Sequence, residues 1–221
     1  EKYRKLQGTY PVIFLSLAGI KGADYAGMYR KIVHVISELY ADAWEEIPQE
    51  SMSVKEKWYF EAVLEESNRI DYETSLSMLT KYLSKYYGKK VILLLDEYDT
   101  PIQQGHSRGF YNEVITFMRN FMSGGLKDNS ALAFGVLTGI LRVSKENLFS
   151  GLNNPIVNSV LDEKYSEYFG FTADEVTAMA AYYGRKEKME ELREWYDGYR
   201  FGSTEIYNPW SVANYFYNNC Q

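Results

Sequence analysis

Cysteine is all but missing. Cys220 stands alone, beside the end of a 221-residue chain. No disulfide can form within the chain, and a cysteine-rich zinc centre is excluded. A reducing, cytoplasmic setting fits this usage. Histidine is equally scarce: His34 and His106 are too few and too far apart in sequence for a histidine metal site. There is no basic excess either. Lys and Arg number 24 against 30 Asp and Glu, a net charge of −6. A dedicated nucleic-acid-binding domain is therefore not indicated, although a local basic patch stays open. Apolar runs are short, and the most hydrophobic block, Val91–Leu95, falls far below the roughly 18 residues that span a bilayer. No membrane association is expected. Internal repeats, low-complexity stretches and Pro/Ser-rich linkers are missing. So are an initiating Met and a signal-peptide pattern; a chain that starts on Glu1 reads as cut from something longer.

What is present suits a sizeable core. Apolar residues make up 46% and aromatic ones 16%, with 21 tyrosines, which argues against disorder. Residues 10–18 read as a strand, and 24–46 as a helix with Tyr25, Met28, Ile32, Val35, Ile36, Leu39 and Ala43 at spacings of three and four. Trp58 to Leu64 suggests a short helix. Residues 72–87 suggest another, stopped by Gly88. Val91–Leu95 has no alternation, as expected of a strand apolar on both faces in a buried parallel sheet. Residues 109–122 read as a helix closed by Gly124-Gly125, and 131–138 as a second buried strand. Strands separated by helices predict crossover connections and a layered, parallel α/β sheet. After about residue 150 the texture changes. Thr172 and Glu175 have capping-box spacing, 187–196 looks helical up to Asp197-Gly198, and a last helix is expected from Trp210. The expected division is 1–150 as an α/β core and 151–221 as a helical extension or small subdomain.

The chemistry is concentrated at Val91-Ile-Leu-Leu-Leu-Asp96-Glu97-Tyr98-Asp99. A buried strand aims its C-terminal residues with little freedom, and ligands collect at that edge of a parallel sheet. An apolar strand ending in Asp-Glu is the Walker B pattern, in which the Asp holds Mg²⁺ and the Glu orients or deprotonates the attacking water. The plainer alternative is that Asp96 and Asp99 simply start the turn at Thr100-Pro101. Thr138 ends the next apolar strand, where a hydroxyl can contact a γ-phosphate or the attacking water. Arg142 follows, placed to stabilise transition-state charge. Their alternatives are a backbone hydrogen bond and a surface ion pair.

These segments occur in a fixed order: 91–102 (VILLLDEYDTPI), 137–146 (LTGILRVSKE), 149–154 (FSGLNN), 195–202 (WYDGYRFG) and 207–211 (YNPWS). Together they closely resemble the bacterial AAA-ATPase-like family of P-loop ATPases, over about Tyr10 to Tyr217. The resemblance implies a three-layer parallel sheet of P-loop NTPase type and Mg²⁺-dependent ATP binding and hydrolysis. It also implies a conformational switch in a larger protein. Asp96 and Asp99 would bind the cofactor, with Asp96 beside Mg²⁺. Glu97 would be the base, Thr138 the sensor, and Arg142 a sensor or finger. Family members usually carry a further, C-terminal nuclease-like domain. The departure is the phosphate loop: Gly-x-x-x-x-Gly-Lys-[Ser/Thr] does not occur. Gly88-Lys89 is followed by Lys90 and leads into a strand. The resemblance therefore implies a core lacking its N-terminal strand, loop and helix, and a fragment that binds ATP poorly and does not hydrolyse it.

Two other readings compete. One is a non-catalytic interaction or self-association module, with Tyr86, Tyr87, Tyr182, Tyr183, Tyr196 and Tyr199 as contact surfaces. The other is a metal-dependent hydrolase in which Asp96, Glu97 and Asp99 gather a cation without nucleotide. In the family signature, Trp195, Tyr199 and Trp210 are expected to pack.

Overall fold

The computed structural model describes residues 3–140 and 155–218. The chain divides into two compact units, Glu1–Pro155 and Ile156–Gln221.

The first unit is a mixed α/β structure built on a three-stranded parallel sheet in the order β1-β2-β3: Val12–Ser16, Val91–Asp96 and Leu132–Leu137. β2 is central, with Val12 opposite Ile92 and Ser16 opposite Asp96. A register shift between Val91 and Ile92 interrupts its pairing with β3, after which Ile92 faces Phe134 and Leu94 faces Val136. The long helix α1 (Tyr25–Glu46) starts where the Asp24 carboxylate accepts the Gly27 N–H at 2.7 Å. It buries Met28, Ile32, Ile36, Tyr40 and Ala43 on the stripe its periodicity predicts. α2 (Val54–Leu64) begins four residues before the expected Trp58, because Ser53 and Glu56 form a reciprocal capping box. α3 (Ser75–Tyr87) ends at Gly88 in the left-handed conformation, φ 61°.

Two helices then occupy the stretch that was expected to hold one. α4 (Thr100–Arg108) follows β2 directly, and α5 (Tyr111–Leu126) runs through Gly124-Gly125 rather than ending there. Gly125 is a packing glycine: a Cβ on it would lie 2.6 Å from Leu76 Cδ2.

α1 contacts β1, α3 contacts β2 and α5 contacts β3. The side chains they cover are Ile13, Leu15, Val91, Leu93 and Leu95, all 3% exposed or less. The alternate positions are another matter. Val12 is 52% exposed, Phe14 57%, Phe134 63% and Val136 39%. β3 is thus not the buried strand expected, and among the described residues of this unit the sheet is covered on one face only. The cause is topological. Both crossovers step in the same direction across the sheet, and right-handed crossovers stepping the same way leave their helices on the same side.

The second unit is not purely helical. β4 (Phe171–Thr172), β6 (Thr204–Tyr207) and β5 (Asp197–Phe201) form an antiparallel sheet in the order β4-β6-β5. Asp197-Gly198, expected as a helix stop, opens β5. α6 (Ala173–Tyr182) starts on the predicted capping box of Thr172 and Glu175. α7 (Met189–Tyr196) and α8 (Pro209–Tyr217) complete a small core of Val176, Ala180, Leu192, Val212 and Tyr215. Trp195 is 73% exposed, Tyr199 54% and Trp210 78%, so none of the three belongs to this unit's core.

Candidate functional site

Three strand ends converge on one carboxylate. Asp96 closes β2, with Ser16 opposite it in register and Thr138 one residue beyond β3. Ser16 Oγ donates to Asp96 Oδ2 at 3.3 Å, and Thr138 Oγ1 donates to Asp96 Oδ1 at 2.5 Å. The backbone fixes the same junction. Leu17 N–H donates to the Asp96 carbonyl at 2.9 Å, Thr138 N–H to that of Leu95 at 2.9 Å, and Tyr98 N–H to that of Thr138 at 3.1 Å. Side chains alternate along a strand, so Ser16, Asp96 and Thr138 share the face carrying Phe14, Leu94 and Val136. The polar row sits at the C-terminal edge of the uncovered apolar face.

The neighbouring carboxylates go elsewhere. Glu97 adopts a left-handed backbone, φ 50°, which is uncommon for a residue with a side chain and gathers at functional sites. Its Oε2 accepts the Thr100 hydroxyl at 3.0 Å. That puts negative charge on the first turn of α4, where the helix dipole favours it. Asp99 is 1% exposed. Its Oδ2 accepts Gln103 Nε2 at 2.7 Å and the Ile140 N–H at 3.1 Å, tying α4 to the segment after β3. Among the described residues, no three Asp, Glu, His or Cys side chains converge as metal ligands. That overturns the nucleotide-free hydrolase reading, which needs Asp96, Glu97 and Asp99 in one cage. What remains around Asp96 is a set of hard oxygen donors, one carboxylate and two hydroxyls, of the type Mg²⁺ accepts alongside its waters.

The structure thus brings Asp96 and Thr138 into contact, while Glu97 bonds Thr100 and Asp99 bonds Gln103 and the Ile140 N–H. Arg142 lies outside the described residues. Ser16 was missed. Its signal was a lone hydroxyl among the apolar residues of 10–18, at the end of that strand rather than its middle. Among the described residues no helix is long and apolar enough to cross a membrane.

The C-terminal edge of an open parallel α/β sheet is where ligands commonly bind, and this unit presents a carboxylate and two hydroxyls there. A family model described as a predicted AAA-ATPase, AAA-ATPase-like, matches residues 1–149, and the chain belongs to that family. It is 36% identical over 131 residues to an uncharacterized protein in the vnfD 5'region of Azotobacter chroococcum mcd 1, an alignment covering 58% of this chain. The matched part spans 25% of that relative's length. No solved structure matches the chain.

Proposed function

We propose that this chain is the Asp-Glu half of a Mg²⁺-dependent ATPase of P-loop type, whose ATP binding and hydrolysis switch the conformation of a larger protein. The convergence of Ser16, Asp96 and Thr138 at the C-terminal edge of the parallel sheet carries the reading. In it Asp96, the Walker B aspartate, holds Mg²⁺ through water with Ser16 and Thr138 beside it. Mg²⁺ supplies charge neutralisation on the phosphate oxygens. Glu97 accepts the proton of the attacking water once its carboxylate turns from Thr100. Asp99, buried in its bonds to Gln103 and Ile140, positions the loop rather than touching the cofactor. Arg142 is assigned the sensor or finger role that its place in the motif implies. Residues 1–150 form the ATPase core in this reading, and 151–221 its extension.

Topology supports the incompleteness of the site. Parallel sheets are stable when both faces are covered, and this one has an uncovered face and a free edge at β3 among the described residues. A strand added at that edge, connected to β1 by a right-handed crossover, steps the opposite way and lays its helix on the uncovered face. The point of reversal, where such sheets bind ligands, then falls beside Asp96 and Thr138. A phosphate-binding loop there meets the carboxylate across the crevice.

The test is Glu97→Gln in a protein that joins this chain to such a loop. Turnover of ATP is expected to fall at least about 100-fold while Mg-ATP binding is kept. Unchanged turnover overturns the role of Glu97. A second reading has its own observation: Phe14 and Phe134 are 57% and 63% exposed, as on a non-catalytic module that captures a partner. Mg-ATP binding by the completed protein separates the two.

A further inference from the structure

A second feature of the same sheet edge is independent of the ATPase reading. The loop leaving β1, the first turns of α1 and the last turn of α4 border an open, shallow cleft of about 710 Å³. Four permanent cations line it: Lys21, Arg30, Lys31 and Arg108. Among the described residues none of the four carries an ion pair. No carboxylate lines the cleft. Its nearest acidic neighbours are engaged: Asp24 caps α1 through Gly27, and Glu66 and Glu38 flank His34 at 2.7 and 3.9 Å. His34, also in the wall, is therefore neutralised locally and adds no free charge. These four cations gather on a chain of net charge −6, so the cleft is locally positive against the overall field.

The wall is also built. Gly22 sits so close to α1 that a Cβ on it would lie 2.7 Å from the Met28 backbone nitrogen. Only glycine lets the Lys21 loop fold down on the helix. The Arg30 guanidinium lies along Gly27, 3.7 Å from where a Cβ there would be, and so borders the start of α1. Arg108, from the last turn of α4, lines the same cleft, and planar guanidinium forks match tetrahedral oxyanions in bidentate fashion. No aromatic ring lines the cleft, so nothing in it stacks a base.

We propose that this cleft binds phosphate oxyanions spaced along one ligand, recognised through the phosphates alone. A phosphodiester backbone and a free polyphosphate both have that chemistry. The test is fluorescence anisotropy with the full 221-residue chain and a labelled 20-nucleotide thymidine strand at 50 mM salt, competed with inorganic tripolyphosphate. Arg30→Gln/Arg108→Gln is expected to weaken binding at least about tenfold and to lower the salt slope by about 1.4, two charges at about 0.7 each. Lys55→Gln/Lys57→Gln, equal in charge change but on α2, is expected to leave binding within about twofold. Circular dichroism confirms that each variant folds. Competition by tripolyphosphate at matched phosphate concentration identifies free polyphosphate as the source; failure to compete identifies the phosphodiester backbone. Three results overturn the proposal: no binding of strand or tripolyphosphate, no loss in the arginine variant, or an equal loss in the α2 control.

Discussion

Gly125 and Leu76 share one packing site. A methyl group on Gly125 would lie 2.6 Å from Leu76 Cδ2 and 2.8 Å from Leu76 Cγ. α5 can approach α3 this closely only because residue 125 lacks a side chain, and this contact overrides the ordinary preference of a Gly-Gly pair to end a helix.

Gly125→Ala is therefore expected to destabilise the first unit by about 1–3 kcal/mol, although alanine is the better helix former. Leu76→Ala alone leaves a cavity and costs about 2–5 kcal/mol. The double variant is expected to be more stable than the sum of the two losses, because each substitution relieves the fault of the other. Urea denaturation of the four proteins checks this; strict additivity refutes the shared site.

Thr138→Val removes the hydroxyl donated to Asp96 while keeping the shape of the side chain. The expected loss of stability is about 1 kcal/mol, that of one hydrogen bond to a charged group partly open to water. Ser16→Ala should cost less, its bond being longer at 3.3 Å. Thermal melts of both variants measure the order. A larger effect from Ser16→Ala contradicts the dominance of Thr138 at this carboxylate.

The uncovered sheet face gives a prediction about solution behaviour. Phe14→Ser/Phe134→Ser should change stability by less than about 0.5 kcal/mol per position, as both side chains are exposed. The same variant should at least halve the fluorescence of a dye that reports exposed apolar surface. Dye binding that does not change locates the sticky surface elsewhere.

Acid stability should depend on Glu56. The Lys85 ammonium at 2.7 Å, then the Ser53 backbone N–H, hold its carboxyl down at about 2, against an ordinary 4.5. A depressed carboxyl contributes stability above its unfolded value, and that contribution is lost as pH falls from about 4.5 to about 2. Glu56→Gln should flatten the stability profile in this window and lower stability slightly at neutral pH. Denaturation midpoints at pH 2.5, 4 and 7 test it; an unchanged acid slope rules Glu56 out as the titrating group.

The strands and the long helices were readable because their signals are local. The stripe of Met28, Ile32 and Ile36 and the capping box at Thr172 need nothing beyond a few neighbours. Asp96 and Thr138 were readable for the same reason: each ends an apolar run. What escaped depends on contacts distant in sequence. Gly125 looks like a stop until Leu76 is known to lie against it. The two-sided apolarity of Val91–Leu95 says that both faces want cover, not that both have it. Glu97 and Asp99 read as one carboxylate group with Asp96, yet each has its own partners: Thr138 for Asp96, Thr100 for Glu97, Gln103 and the Ile140 N–H for Asp99. Asp197–Tyr207 was hidden as a hairpin because Gly198 and Gly202 look like loop residues, and its pairing with Phe171-Thr172 crosses two intervening helices, α6 and α7.

The strand order has a kinetic consequence. β1, β2 and β3 pair in the sequence in which they leave the ribosome, and each needs only the strand made just before it. Assembly of this sheet can therefore keep pace with synthesis at about 5–20 residues per second, with every pairing available as soon as its second strand emerges. Once β3 has docked, the half-finished face is the part of the molecule open to holdase chaperones.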